Sequence, residues 1–442
     1  MSEAAVAHYL DQYARLPQSA PVWLNGIRAA AIDQFRRTGF PSMRQEDWKY
    51  TDVRPIIKRN FLSVAAGADA ARPELLDGYT MQAWDCHELV FVNGSCRSAY
   101  THIRDLEQGV ILRSLAEVLR HDATGIQPYF EQVHAKSQSA FDNLNSAFLA
   151  EGAYLYVPDG VCIEKPIHLL FLAEQRPEPL VGHFRNLLVL GKQARATVIE
   201  TYAGADSAEY LTNTITEYTG AASAHLRHYK LQQESLRGFH VGSLRATLGR
   251  DSELVSHSLS LGGALVRNNI HAELTETGAA ATLNGLYIAG GKQHVDNHTC
   301  VEHRVPHTTS AGFYRGVLDG NARGVFNGRV VVHAQAQKTD AQLSNANLLL
   351  SSQAEIDTKP ELEIYADDVK CSHGTTVGQL DENMLFYLRS RAIDEKTARS
   401  LLTFAFAEDV INRIDFKPVR ERLELSVAGK LPDTELIRNF MA

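Results

Sequence analysis

Cys371 and His373 stand two residues apart in the run Asp367-Asp368-Val369-Lys370-Cys371-Ser372-His373-Gly374. A thiol and an imidazole are donors for a soft or borderline metal ion, and a pair of carboxylates lies just upstream. On an extended strand residues i and i+2 share a face, with Cα atoms roughly 6.6 Å apart. Both side chains then reach one ion, at about 2.3 Å for sulfur and about 2.0 Å for imidazole nitrogen. Two protein ligands are too few to hold a metal firmly. The spacing therefore predicts a labile site, or one completed by another chain, with Asp367 and Asp368 as supplements. The alternative is that Cys371 only packs, as a small hydrophobe.

A second group of donors is denser: His294-Val295-Asp296-Asn297-His298-Thr299-Cys300-Val301-Glu302-His303. His294, Asp296, His298 and Cys300 share parity and would line one face of a strand. They either meet a metal or form a structural polar face or a His/Asp hydrogen-bond network. Other chemistry is absent. Gly285 to Gln293 falls short of a phosphate-binding loop, because the spacing is one residue too long and Gln293 stands where a Ser or Thr would hold Mg²⁺. It is expected to be a glycine-rich corner. No Gly-x-Ser-x-Gly or His-Glu-x-x-His motif occurs.

Around these residues the chain reads as an ordinary soluble protein of 442 residues, 44% hydrophobic, with a net charge of −8. That balance argues against a nucleic-acid or anionic-membrane surface. The N-terminus shows no apolar core of a signal peptide, so the cytoplasm is the expected compartment. The five cysteines include no Cys-x-x-Cys pair and make no disulfide framework.

The elements that position the donors can be read from periodicity. Residues 3 to 38 read as two helices, the second starting near Pro21 and ending at Gly39. Residues 62 to 84 look like a loose linker. His87 to Val92 is a strand closed by an Asn93-Gly94 turn, and Ile111 to Leu119 a short helix. Phe141, Leu144, Phe148 and Leu149 fall at helical spacing before a stop at Gly152. From about residue 152 the texture becomes β-rich. Gly191, Gly220, Gly249 and Gly278 follow one another at steps of 29 residues, each behind a β-favouring run. Gly320 lies 42 beyond Gly278, as if a 13-residue insertion intervened. A fixed period of this size marks a repeat architecture, and strand-like units with glycine corners point to a β-solenoid. Between residues 160 and 378 about seven coils fit, a rod about 35 Å long at the spacing of stacked strands. Such a rod has open ends that must be covered or paired, and the run from Asp367 to Gly374 lies at one of them. Beyond it Asp394 should cap a helix. Leu402, Phe406, Val410 and Ile414 form one apolar seam there, and Leu401, Phe404, Ala405 and Ile411 a second.

Several runs carry a resemblance. Gln337-Lys338-Thr339-Asp340-Ala341-Gln342, then Asn347-Leu348-Leu349-Leu350-Ser351, then Lys359 through Gly374, then Leu385-Phe386-Tyr387-Leu388-Arg389-Ser390-Arg391 are similar to the SufB/SufD family of iron–sulfur cluster assembly proteins. Length and the Trp48-Lys49-Tyr50-Thr51 segment resemble its SufD branch. The resemblance covers nearly the whole chain. It implies a mainly β fold, a right-handed parallel β-helix over 152–380, flanked by an N-terminal helical and α+β region (1–151) and a C-terminal helical region (381–442). It implies a scaffold without catalysis of its own, paired with SufB through the end of the β-helix and with the ATPase SufC through the C-terminal helices. Its cofactor would be a transient Fe–S cluster at the subunit junction, with none firmly bound in the isolated chain. The family's implicated histidine matches His373, with Cys371 two residues before it, in a site shared with SufB. The persulfide-bearing cysteine belongs to SufB, so no such role comes to this chain. Expected SufB contacts in the last coil are Glu363, Tyr365, Lys370 and Thr375. Expected SufC contacts are Leu401, Phe404, Phe406, Glu408 and Ile411. Two other functions remain possible on the sequence: a homodimeric β-helix binding module with no metal role, and a β-helix carbohydrate lyase.

Overall fold

The computed structural model describes residues 2–17, 20–63, 76–134 and 139–431. Most of the linker expected over 62–84 lies outside them. The centre is a parallel β-solenoid of about eight coils whose strands stack into two ten-stranded sheets. Each full coil gives one strand to each sheet. In the first sheet Leu265–Leu274, His294–His303 and Arg323–Val332 lie side by side, with Leu265 on His294 and His294 on Arg323. In the second sheet Ala280–Ala289, Thr309–Leu318, Asp340–Leu349 and Lys370–Gly378 follow in the same way.

The register explains the glycine period and corrects one part of it. Gly191, Gly220, Gly249 and Gly278 all sit where the chain leaves the first sheet for the second. At Gly249 an added Cβ would lie 3.0 Å from the Gly220 carbonyl of the coil below, so a side chain there would push the coils apart. Gly320 belongs to the return corner, stacked on Gly291. The extra 13 residues are therefore about half a coil and not an insertion. His294 pairs directly with Arg323, one period on.

Alternation along each strand fills the interior. Phe91, Phe171 and Tyr202 stack in successive coils with ring centroids 4.7 Å apart, at the spacing of neighbouring strands. The same interior holds a polar column. Glu200 accepts from Thr216 (2.6 Å) and from the Tyr202 hydroxyl (2.8 Å), and Lys230 donates to Asn268 (2.8 Å). Burial pulls Lys230 down to about 8. Burial alone would raise Glu200, yet the neighbouring His228 ring (3.5 Å), the Thr216 hydrogen bond and the Lys230 charge hold it at about 2.

The two ends of the solenoid differ. At the first end the parallel stacking stops on antiparallel strands: Ile111–Ser114 pairs with Ala153–Val157, and His87–Val92 turns back through Ser95–Cys96. Ile111 thus begins a strand, not the expected helix. The helix starts at Leu115, because the Ser114 side chain accepts from the Glu117 N–H (3.2 Å), a capping arrangement. The N-terminal helices, Val22–Thr38 with its Pro21 and Gly39 boundaries and Ala140–Ala147, cover part of the first sheet through Val181, Leu211, Phe239 and Leu265. Helices Glu395–Ile411 and Lys417–Ala428 cover the second sheet through Tyr229, Leu259, Leu286 and Val317. Nothing among the described residues closes the last coil. Tyr365 in its turn is 65% exposed, and Ile364 and Val377 on its two strands are 40% and 49% exposed.

Candidate functional site at the open end of the solenoid

Strand Lys370–Gly378 ends the second sheet and has one neighbour, Asp340–Leu349. The register sets Cys371 on Ala341 and His373 on Leu343, both of which are buried inside the solenoid. In-register parallel strands keep their side-chain columns. Cys371, His373, Thr375 and Val377 therefore continue interior columns and emerge at the uncovered end. The spacing correctly put Cys371 and His373 on one face, and the register shows which face it is. Cys371 packs partly against Val330, Val332 and Ala336. Burial, with the Asp340 charge added, raises its pKa, so it is a thiol in the free chain. His373 is exposed.

The edge is tied across by hydroxyls. Thr358, on the edge strand Glu355–Ile364 of the other sheet, lies 2.9 Å from Thr375 Oγ1 and donates to Asn345 (3.0 Å). The preceding turn is also anchored. Asp368 forms an ion pair with Lys338, and its N–H donates to Gln337 Oε1 (2.8 Å). Its carboxylate is thus engaged in the turn, while Asp367 stays exposed. Of the residues expected at a partner contact, Tyr365, Lys370 and Thr375 are exposed. Glu363 is half-buried, 3.5 Å from Arg329.

The C-terminal helices divide the second set of expected contacts. Asp394 caps its helix by accepting from Thr397 N–H (3.1 Å). Phe404 and Ile411 are buried in the chain's own core against the second sheet, so they hold the helix down and offer no surface. Leu401, Phe406 and Glu408 are half-buried. The exposed large apolar side chains of this region are Met384, Phe386 and Tyr387 on the preceding helix, Glu382–Ser390 (56%, 74% and 55% exposed), with Leu425 on Lys417–Ala428 (48%).

The second donor group separates into two parts. His294 and Asp296 lie under the N-terminal segment. Thr51 Oγ1 hydrogen-bonds His294 Nε2 (2.9 Å) and donates to Asp296 (2.5 Å), and Arg267 donates to the same carboxylate (2.5 Å). Burial would raise the Asp296 pKa, but Arg267 and His298 drive it far below the usual carboxylate range. This half is structural. Arg267 lies over the Trp48 ring (4.4 Å), which explains the aromatic and charged segment around Trp48 as a clamp on the solenoid. His303 points inward to Thr308 and Ser310, both at 2.8 Å. Cys300 and Glu302 lie on the outer face.

Two comparisons complete the description. Residues 172–406 match the SufBD core domain of SUF system FeS cluster assembly, and residues 2–169 match the SufBD protein N-terminal region. The chain belongs to the SufBD family. It is 32% identical over 410 residues to an iron–sulfur cluster assembly SufBD family protein of Synechocystis, covering 91% of this chain and 90% of the relative. It is also 32% identical over 404 residues to the iron–sulfur cluster assembly protein SufD of Escherichia coli, covering 91% and 92%. The Bacillus subtilis SufD is 24% identical over 433 residues. As a SufBD protein, the chain belongs to Fe–S cluster assembly, and its core match runs from the early coils into helix Glu395–Ile411.

Two features of this SufBD chain escaped the sequence. The sequence shows Glu382–Ser390 chiefly as part of a family-like run, and the apolar Met384, Phe386 and Tyr387, which lie off the Leu385–Leu388 side of the helix, are the signal of its exposed face. His271 and Cys300 are one period apart, a link that only the strand pairing reveals.

Proposed function

We propose that this chain is a SufD-type scaffold subunit of an Fe–S assembly complex, without catalysis of its own. It pairs with SufB through the last coil and with SufC through the C-terminal helices. The observation that carries this is the uncovered coil end. Two edge strands with unpaired backbone groups, and apolar side chains from interior columns, favour continuation by a second solenoid. At that junction His373 supplies an imidazole to the nascent cluster, which is cargo and not a resident group. Cys371 stands on the same strand face as a second donor once a partner's charge or a metal removes its proton. Two donors are half a site, and the partner supplies the rest.

For SufC, the exposed Met384, Phe386 and Tyr387 together with the half-buried Leu401, Phe406 and Glu408 form the docking region. ATP binding by SufC would pull on helices that are packed against the second sheet and so strain the junction. Among the described residues no helix is long and apolar enough to cross a membrane, and a cytoplasmic location goes with this function. An Arabidopsis relative, 26% identical, carries the description chloroplastic.

The test is co-expression with SufB and SufC, comparing wild type with His373→Ala. A complex of unchanged composition with reduced Fe–S content is the expected result. Normal cluster content in the variant would remove His373 from the site. Failure of the wild-type chain to join any complex, or a homodimer in place of one, would overturn the pairing.

A further inference from the structure

Away from the open end, three neighbouring strands of the first sheet bring a different donor set together. His271 pairs with Cys300, and Cys300 with Arg329, in one outward column. Glu302 follows two residues after Cys300 on the same face. One ligand atom from each of His271, Cys300 and Glu302 lies within 4.8 Å of the others. A tetrahedral centre with bonds of about 2.0–2.3 Å needs its ligand atoms roughly 3.3–3.7 Å apart. The widest separation thus needs to close by about 1–1.5 Å and the His271–Glu302 contact to open by less than about 1 Å, a rotamer adjustment on central strands.

Glu302 is already oriented. One carboxylate oxygen takes His271 Nε2 at 2.9 Å, and the other takes His333 Nε2 at 3.1 Å. A carboxylate held by a second imidazole is a familiar outer support of a metal ligand. The group is sheltered yet reachable, with side-chain exposures of 35% for His271, 17% for Glu302 and 33% for His333. Two guanidiniums oppose a cation here. Arg304 reaches Glu302 (2.8 Å) and Arg329 flanks Cys300, but each is shared, with Glu273 (3.2 Å) and Glu363 (3.5 Å) respectively. Their charge weakens the hold on a cation, so binding is reversible.

We propose that His271, Cys300 and Glu302 form an exchangeable site for a divalent cation of the zinc or ferrous class, with His333 orienting Glu302. A thiolate with an imidazole selects against magnesium and calcium, and three protein ligands leave a fourth position open. The site stands apart from the junction proposed above and needs no partner to form.

Its test uses the purified full-length chain titrated with Co²⁺, then Zn²⁺. Wild type should develop a near-ultraviolet thiolate-to-cobalt charge-transfer band with tetrahedral visible absorption, reversed by one equivalent of Zn²⁺. Cys300→Ala should lose the band, and Cys371→Ala and His373→Ala should keep it. His333→Gln should weaken Zn²⁺ binding by about 10- to 100-fold. Far-ultraviolet circular dichroism identical to wild type excludes misfolding of these outward-facing variants. No band in wild type, a band that survives Cys300→Ala, or one lost in Cys371→Ala would each overturn the proposal. Any of these leaves the His373 experiment unaffected.

Discussion

Replacing Val377 by Asp separates the stability of the solenoid from the closure of its open end. Val377 sits over Asn347 in an interior column but is 49% exposed. Full burial of a valine contributes about 1.5 kcal/mol, so the free chain should lose only about half of that. A domain this large then melts within about 2 °C of wild type. In a complex that continues the solenoid, the same position lies between two coils, and a carboxylate there is dehydrated without a partner. Burying an unpaired charge at an interface costs about 2–5 kcal/mol, a rise in Kd of at least about 30-fold. The assay is a titration of labelled SufB with each variant by sedimentation velocity, alongside thermal melts of the free chain. Equal SufB affinity for wild type and Val377→Asp would refute end-to-end pairing. A collapse of the free chain's melting temperature would show that Val377 already belongs to a closed core.

Two further outcomes follow from burial. Phe386→Glu should abolish SufC binding with little change in melting temperature, whereas Phe404→Glu, which places a charge in the helix-to-sheet core, should destabilise the fold by about 3 kcal/mol or more; retention of SufC by Phe386→Glu would discard the Glu382–Ser390 surface. Acidification should destabilise the solenoid well before its carboxylates titrate. Burial lowers His183 and His257 to about 3 and His303 to about 4. Between those values and about 6.5 the unfolded chain binds protons that the folded chain does not. The contribution of these three histidines is then full above about pH 6.5 and falls below it, by up to about 1.4 kcal/mol per pH unit for each. A melting temperature unchanged between pH 7 and pH 5 would contradict neutral buried imidazoles.

The solenoid was legible because its corners obey a steric rule that one letter carries. Gly191, Gly220, Gly249 and Gly278 mark one corner, and their spacing is the length of a coil. The same letter misled at Gly320, since glycine does not say which of two corners it occupies. Parity placed Cys371 and His373 together, but only pairing with Ala341 and Leu343 shows that they face the interior column. Helical spacing likewise revealed both seams of Glu395–Ile411 without saying that Phe404 and Ile411 fill the chain's own core. His271 and Cys300 are neighbours across strands, a relation that appears in the sequence only when columns are aligned at the 29-residue step. The buried Glu200, His228 and Lys230 give no such sign, because a polar letter in a strand ordinarily marks the outside.

The contrast between the ends of the solenoid sets how far assembly can go. A rod of stacked strands open at both ends has no reason to stop adding copies, and head-to-tail contacts of that kind grow into filaments. Here the antiparallel strands Ile111–Ser114 and Ser95–Cys96 terminate the stacking direction at one end. Among the described residues the parallel stacking runs out uncovered at Glu355–Ile364 and Lys370–Gly378, so the pairing proposed above would use up that end. On the pairing proposed above, such a chain would form a finite pair and not a filament.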